Sequence, residues 1–337
     1  MRAGIETHVE HEASRGMSYA RLIRALEMGE GLDFVDARNL MSALLDGGVP
    51  ELETAALLMS LNRHDAGLDA WLGMHAALAE RVPRFAVPVT PYRPVILPTY
   101  HGVRCCAHLT PMLALLLKSF GIPVLVHGVL DGGGGTAAAY VFRELGIFPC
   151  SHVAQVDTRL GEEGIAFAPV ALLSSGLASL LALRARLGVE TIATRLAVLV
   201  DTMSAESVRV TPALHERELP GIAAILSALG GRALLLKGCE GEAFADPQLR
   251  PEILFYRDGA CESIFAAQQA ASVVTDVPMG DARTTGLWMR EVLEGRQSVP
   301  LALRSVLAAC LYAAGYTDDL NQARAITSIN GFGRIAA

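Results

Sequence analysis

The stretch from residue 94 to residue 146 constrains this chain more than any other. PVILP (94–98) is a short apolar run, and LTPMLALLLKSFG (109–121) spaces apolar residues as a helix does. PVLVH (123–127) is a second short run, followed by a second helical pattern, TAAAYVFRELG (136–146). Short buried runs alternating with helices predict parallel strands, because a parallel connection needs a crossover of a dozen or more residues. The alternation continues through IAFAP (165–169), a helix over 176–187, RLAVLV (195–200) in strand position, a helix near 216–229 and RALLLKG (232–238). Helices near 281–295, near 300–314 and from about 317 close the chain.

Ahead of this region the pattern is helical only. ARLIRALEMG, VDARNLMSALLDGG, ELETAALLMSLNRH and LDAWLGMHAALAERV each repeat apolar residues at three- and four-residue spacing, with Asp33 placed to start a helix and Gly47-Gly48 to stop one. The fold class expected is α/β: a small N-terminal helical domain over 17–87 beside a larger α/β domain over 88–337 with a mostly parallel central sheet. A helix near 176–190 is expected to complete the helical domain, and residues 1–16, with His8 and His11, read as a flexible tail.

At 337 residues, 52% hydrophobic and 19% charged, the chain can bury a sizeable core. No apolar stretch reaches the roughly 18 residues of a membrane span. MLALLL (112–117) stops at Lys118, and the polar N-terminus lacks a signal-peptide core, so a cytoplasmic, non-membrane protein is expected. Six cysteines form no CxxC pair and no zinc-ligand spacing, and they read as reduced, mostly buried side chains; the adjacent Cys105-Cys106 stands out. The net charge of −7 gives no overall attraction for polyanions. Its distribution is uneven, however. No acidic residue lies between Glu80 and Asp131, where Arg81, Arg84, Arg93, Arg104 and Lys118 fall, nor over 164–189, where Arg184 and Arg186 fall.

The blocks LTPMLALLLKSFGIPVLVHG (109–128), RELGI (143–147), IAFAP (165–169) and GGRALLLKGCEGEAFADP (230–247) resemble the anthranilate phosphoribosyltransferase family over residues 17–335. The resemblance implies a homodimer formed through the helical part and an interdomain cleft for phosphoribosyl pyrophosphate and anthranilate. In that family a Gly-Thr-Gly-Gly-Asp-Gly loop and an Asn-Ile-Ser-Thr stretch hold the pyrophosphate. This chain has Pro98-Thr99-Tyr100-His101-Gly102-Val103 and His108-Leu109-Thr110-Pro111 instead. Proline offers no N–H, and side chains stand where glycine lets phosphate approach the backbone. The family's His-Gly-Asn-Arg becomes His127-Gly128-Val129-Leu130, and its paired Asp-Glu for Mg²⁺ becomes Glu242-Ala243.

Those departures resemble the YbiB-type subfamily, through YHGVR (100–104) and GGRALLLKGCEGEAFADPQ (230–248). That likeness implies a non-catalytic homodimer that binds nucleic acid, single- or double-stranded DNA, without sequence preference and without a cofactor. The anion-facing residues it suggests are Arg93, His101, Arg104, His108, Thr110, Lys118, Arg184 and Arg186. Thr99, His127, Gly128 and Glu242 are left as a vestigial substrate cleft, with no catalytic residue and no metal ligand. The alternative is a phosphoribosyl or glycosyl transferase of altered specificity in the same cleft, which would need Mg²⁺. DGGGGT (131–136) then reads as a mobile connection into the next helix, with Thr136 as its cap, and not as a phosphate cradle.

Overall fold

A computed structural model describes residues 19–63, 66–204, 206–269 and 277–328; the tail expected over 1–16 lies outside them. Four helices come first: α1 (Tyr19–Glu27), α2 (Phe34–Leu45), α3 (Glu51–Arg63) and α4 (Gly67–Ala79). Asp33 caps α2 as its sequence position suggests, its carboxylate accepting the Asp36 N–H at 2.8 Å. Helix α4 packs so closely on the start of α2 that a Cβ on Gly73 would lie 2.2 Å from the Phe34 carbonyl oxygen.

The α/β part follows as β1 (Val95–Thr99), α5 (Thr110–Ser119), β2 (Val124–Gly128), α6 (Ala138–Glu144), α7 (Val153–Glu162) and β3 (Ile165–Pro169). A helical insertion comes next: α8 (Val170–Leu173), α9 (Ser175–Ala182), α10 (Arg184–Leu187) and α11 (Ile192–Ala197). The chain returns through β4 (Val208–Ala213), α12 (Leu219–Leu229) and β5 (Arg232–Lys237). Short strands β6 (Leu249–Arg250) and β9 (Gln268–Gln269) pair with each other, around the hairpin β7 (Ile253–Arg257) and β8 (Ala260–Phe265). Helices α13 (Ala282–Leu293), α14 (Leu301–Ala314) and α15 (Leu320–Ser328) come last.

The main sheet runs β3-β2-β1-β4-β5-β7-β8, with parallel pairing from β3 to β5 and antiparallel pairing beyond. This is the mostly parallel central sheet expected. Its parallel strands are buried on both faces, whereas the edge strand β8 is mostly exposed, and alternate residues of the parallel strands serve opposite cores. Val95, Leu97, Val124, Val126, Leu234 and Leu236 join α5, α6, α13 and α14. Ile96, Leu125, Ala166, Ala233 and Leu235 join the core shared with α2, α3 and α4. Helices α9 and α11 pack on α2, α3 and α4.

One strand assignment is corrected. RLAVLV (195–200) is not a strand: α11 covers its first half and the rest is a turn. The neighbour of β1 is VRVTPA, whose Pro212 and buried Arg209 disguise a central strand. The chain therefore moves outward from β1 to β3 and returns to β4. Between β1 and β4 the connections diverge, and a crevice opens at their carboxyl ends, where open α/β sheets take ligands.

Candidate functional site

At the end of β1 the backbone enters a loop whose side chains turn inward. Tyr100 is buried, and its hydroxyl shares a 2.7 Å hydrogen bond with His127 Nδ1 on neighbouring β2. Burial holds the His127 ring neutral, with its pKa pushed down to about 3, and raises that of the Tyr100 phenol. Gly128 is obligatory beside them, since a Cβ there would fall 1.7 Å from the Thr99 carbonyl oxygen.

Glu242 is the hub of the site. Its carboxylate is fully buried. One oxygen accepts the backbone N–H of His101 at 2.8 Å. The other accepts the Thr110 hydroxyl at 3.3 Å and lies 3.4 Å from Nε2 of the fully buried His108. Thr110 is the first residue of α5, so a carboxylate from the protein itself sits where the loop after β1 and a helix N-terminus both present donors. Glu240, two residues earlier, accepts the Arg104 N–H at 2.7 Å.

The glycine run completes the loop. Thr136 exchanges backbone hydrogen bonds with Val103, at 2.9 and 3.1 Å, in an isolated bridge. Gly102 packs against Gly132 backbone to backbone, so that a Cβ on Gly102 would lie 2.1 Å from the Gly132 oxygen. The cap of α6 is Ala137, without a side-chain bond, which corrects the assignment of that role to Thr136. Residues 132–135 are thus a clasp on the loop after β1. Arg184 lies against this clasp, donates to the Tyr100 carbonyl at 3.4 Å and pairs with Glu190 at 2.7 Å. Glu190 also faces the His101 ring at 3.5 Å.

Beyond His101 a cavity of about 850 Å³ opens between the helices and the carboxyl end of β4. Arg63 and Trp71 line it from α3 and α4, Arg195 from α11, and His215 and Arg217 from the turn after β4. Arg195 lies over the Trp71 ring, 5.2 Å from its centroid, and donates to Asn62 at 2.9 Å. The sequence reading missed these cations. Their only common signal is spatial, because Arg63 precedes Arg195, His215 and Arg217 by more than 130 residues and Arg195 sits on a different element from the last two.

The expected site residues therefore separate into groups. Thr99, His101, His108, Thr110, His127, Gly128, Glu242 and Arg184 converge at the carboxyl ends of β1 and β2. Arg104 is exposed on the loop above them. Arg186 is exposed and paired with Glu51 of α3. Arg93 precedes β1 and Lys118 ends α5 beside Gly164, which places both at the opposite end of the sheet.

No family model matches the chain. The chain is 33% identical to the uncharacterized protein YbiB of Escherichia coli K12 over 305 residues, covering 89% of this chain and 95% of that protein. The anthranilate phosphoribosyltransferase of Thermus thermophilus superposes with a TM-score of 0.75 at 21% identity, over 93% of this chain and 95% of that one. The Saccharomyces cerevisiae enzyme, in complex with phosphoribosyl pyrophosphate and magnesium, gives 0.75 at 12% identity, with 94% of each chain covered.

Proposed function

Because the chain belongs to the YbiB family, built on the anthranilate phosphoribosyltransferase fold, we propose that it is a non-catalytic homodimer that binds DNA without sequence preference. One observation carries this reading. The donors that a phosphate would need at the end of β1 and the start of α5 are taken by the Glu242 carboxylate. An incoming pyrophosphate would have to displace a buried, hydrogen-bonded carboxylate and overcome its charge.

What remains for an anion is the arginine-bearing rim, with Arg63 (paired with Glu27), Arg195 and Arg217 around a cavity that Glu190 and Glu218 also line, and Arg104 on the loop above. Arginines on separate elements suit an extended phosphate backbone better than one compact leaving group. The helical segment exposes Met28, Val35 and Leu52, which supports self-association through that face. A two-fold dimer would double the rim and strengthen polyanion binding through multivalency.

Fluorescence anisotropy with single- and double-stranded DNA of unrelated sequences tests the proposal. Micromolar affinity at low salt is expected, falling steeply as salt rises, and weaker in Arg217→Glu and Arg104→Glu with unchanged circular dichroism. Absence of binding at low salt overturns it.

The size of the cavity favours a second reading, a transferase of altered specificity acting on a small phosphorylated ligand. The residues present do not fit the Mg²⁺ such chemistry would use. Glu242 is turned inward, its neighbour is Ala243, and Glu240 is bonded to the Arg104 N–H. Calorimetry with phosphoribosyl pyrophosphate and Mg²⁺ separates the readings, because measurable binding favours the transferase.

A further inference from the structure

Three cysteines that the sequence keeps apart meet beside this loop. The Cys105, Cys106 and Cys239 sulfurs are 3.4, 3.7 and 3.7 Å from one another. We propose that these three side chains form a binding site for one thiophilic metal ion of the zinc class, with a fourth position left for water or an outside donor. Zinc–thiolate bonds of about 2.3 Å in tetrahedral geometry set sulfurs about 3.8 Å apart. The triangle is already close to that edge length, so little movement is needed to bind.

The ligands are also held in place independently of any ion. Cys105 follows Arg104, whose N–H is fixed by Glu240, and Glu240 follows Cys239. Glu240 adopts a φ of +47°, a strained conformation for a side chain larger than glycine, and Cys239 N–H bonds the Phe244 carbonyl at 2.7 Å. The loop after β1 and the turn after β5 are thereby clamped with their thiols facing one another. Cys239 belongs to the core and Cys106 packs against it, so packing sets two of the three sulfurs in place. Cys105 is exposed, which gives an ion a path in, whereas Cys239 is buried. Soft thiolates select zinc or copper(I) over magnesium or calcium. Among the described residues the group consists of these three alone, which leaves the fourth position open. A bound ion would cross-link the loop that carries His101 and Arg104 to the end of β5.

The reduced, chelator-treated full chain would be titrated with Co²⁺ as a spectroscopic probe, then with Zn²⁺. The expected result is a thiolate-to-cobalt charge-transfer band that saturates at one ion per chain and disappears when Zn²⁺ displaces the cobalt. Zn²⁺ should also raise the thermal midpoint. Cys239→Ser should abolish the band. Because Cys239 is buried, the exposed Cys105→Ser serves as the second variant and should abolish the band while keeping the parent circular dichroism. Cys261→Ser, outside the group, should leave it intact. The proposal is overturned by absence of the band in the parent, by a band that survives Cys105→Ser, or by loss of two thiols in aerated protein that takes up no metal. That last result would mean a disulfide in place of a metal site.

Discussion

Two neighbouring regions of this molecule handle charge in opposite ways. At the ends of β1 and β2 the polar groups are sealed from water and bond mainly to one another, with Glu242 in the position of an anion, although His108 Nδ1 and His127 Nε2 find no hydrogen-bond partner among the described residues. A few residues away Arg63, Arg195 and Arg217 line the cavity with Glu190 and Glu218, Arg63 pairing with Glu27 at 3.2 Å and Arg195 donating to Asn62. Both lie at the same topological switch point, so the fold alone does not decide whether an anion is held there. What decides it is whether the donors find a partner inside the chain. A carboxylate on β5's following turn reached the first set of donors, and none reached all of the second.

Removing that internal anion should produce the largest effect. Glu242→Ala strips a bonded acceptor from the His101 N–H and the Thr110 hydroxyl and leaves both buried. A loss of roughly 3–5 kcal/mol is expected, read from urea denaturation. Inorganic phosphate should raise the thermal midpoint of this variant more than that of the parent, because only the variant adds a vacant anion position to the rim that both share. A loss below roughly 1 kcal/mol would remove Glu242 as the hub.

Acid should act next, chiefly through the sealed region. Burial lowers the His127 pKa from 6.5 to about 3. The folded protein therefore keeps this ring neutral, while the unfolded chain protonates it below about pH 6.5. The stability attached to His127 is full above that pH and drains as pH falls toward 3, by at most about 1.4 kcal/mol per pH unit. His75, whose pKa is also lowered by burial, adds a contribution of the same sign. Denaturation midpoints between neutral pH and pH 4.5 should fall, and His127→Gln should flatten much of the slope. An unchanged slope in His127→Gln would show that the ring does not stay neutral in the folded state.

How far the sequence disclosed these regions follows from the range of each signal. Strands β1, β2, β3 and β5 were legible because each is a short apolar run bounded by a helix pattern. β4 was not, since Pro212 and Arg209 break its apolar run, while RLAVLV satisfies strand and helix patterns equally well over six residues. The hairpin of β7 and β8 carried a signal that went unused, the Asp258-Gly259 turn. Site residues within one strand–loop–helix unit were found, as His101, His108 and Thr110 show. Cations in that same unit did not all follow them: Arg93 and Lys118 sit a strand's length away, at the other end of the sheet. The cavity arginines and the Cys105–Cys239 contact depend on tertiary proximity, which no local pattern encodes.

The smallest effects test the clasp that separates the two regions. Gly102 and Gly134 differ in what a methyl group would meet. At Gly102 it would lie 2.1 Å from the Gly132 carbonyl oxygen, so two backbones would have to part. At Gly134 it would meet nothing within 4 Å, and only the φ of +94° opposes it. Gly102→Ala should therefore cost about 1–3 kcal/mol as an overpacking change, and Gly134→Ala about 1 kcal/mol as a conformational one. Differential scanning calorimetry on the two variants checks the order. If the clasp serves only the sealed region, neither change should alter the salt dependence of DNA binding beyond the share of Arg104, which lies on the clasped loop, because the rest of the arginine rim is built from α3, α11 and the turn after β4. An altered salt slope in Gly102→Ala would instead tie the clasp to the rim, with Arg184 and Glu190 as the physical link between them.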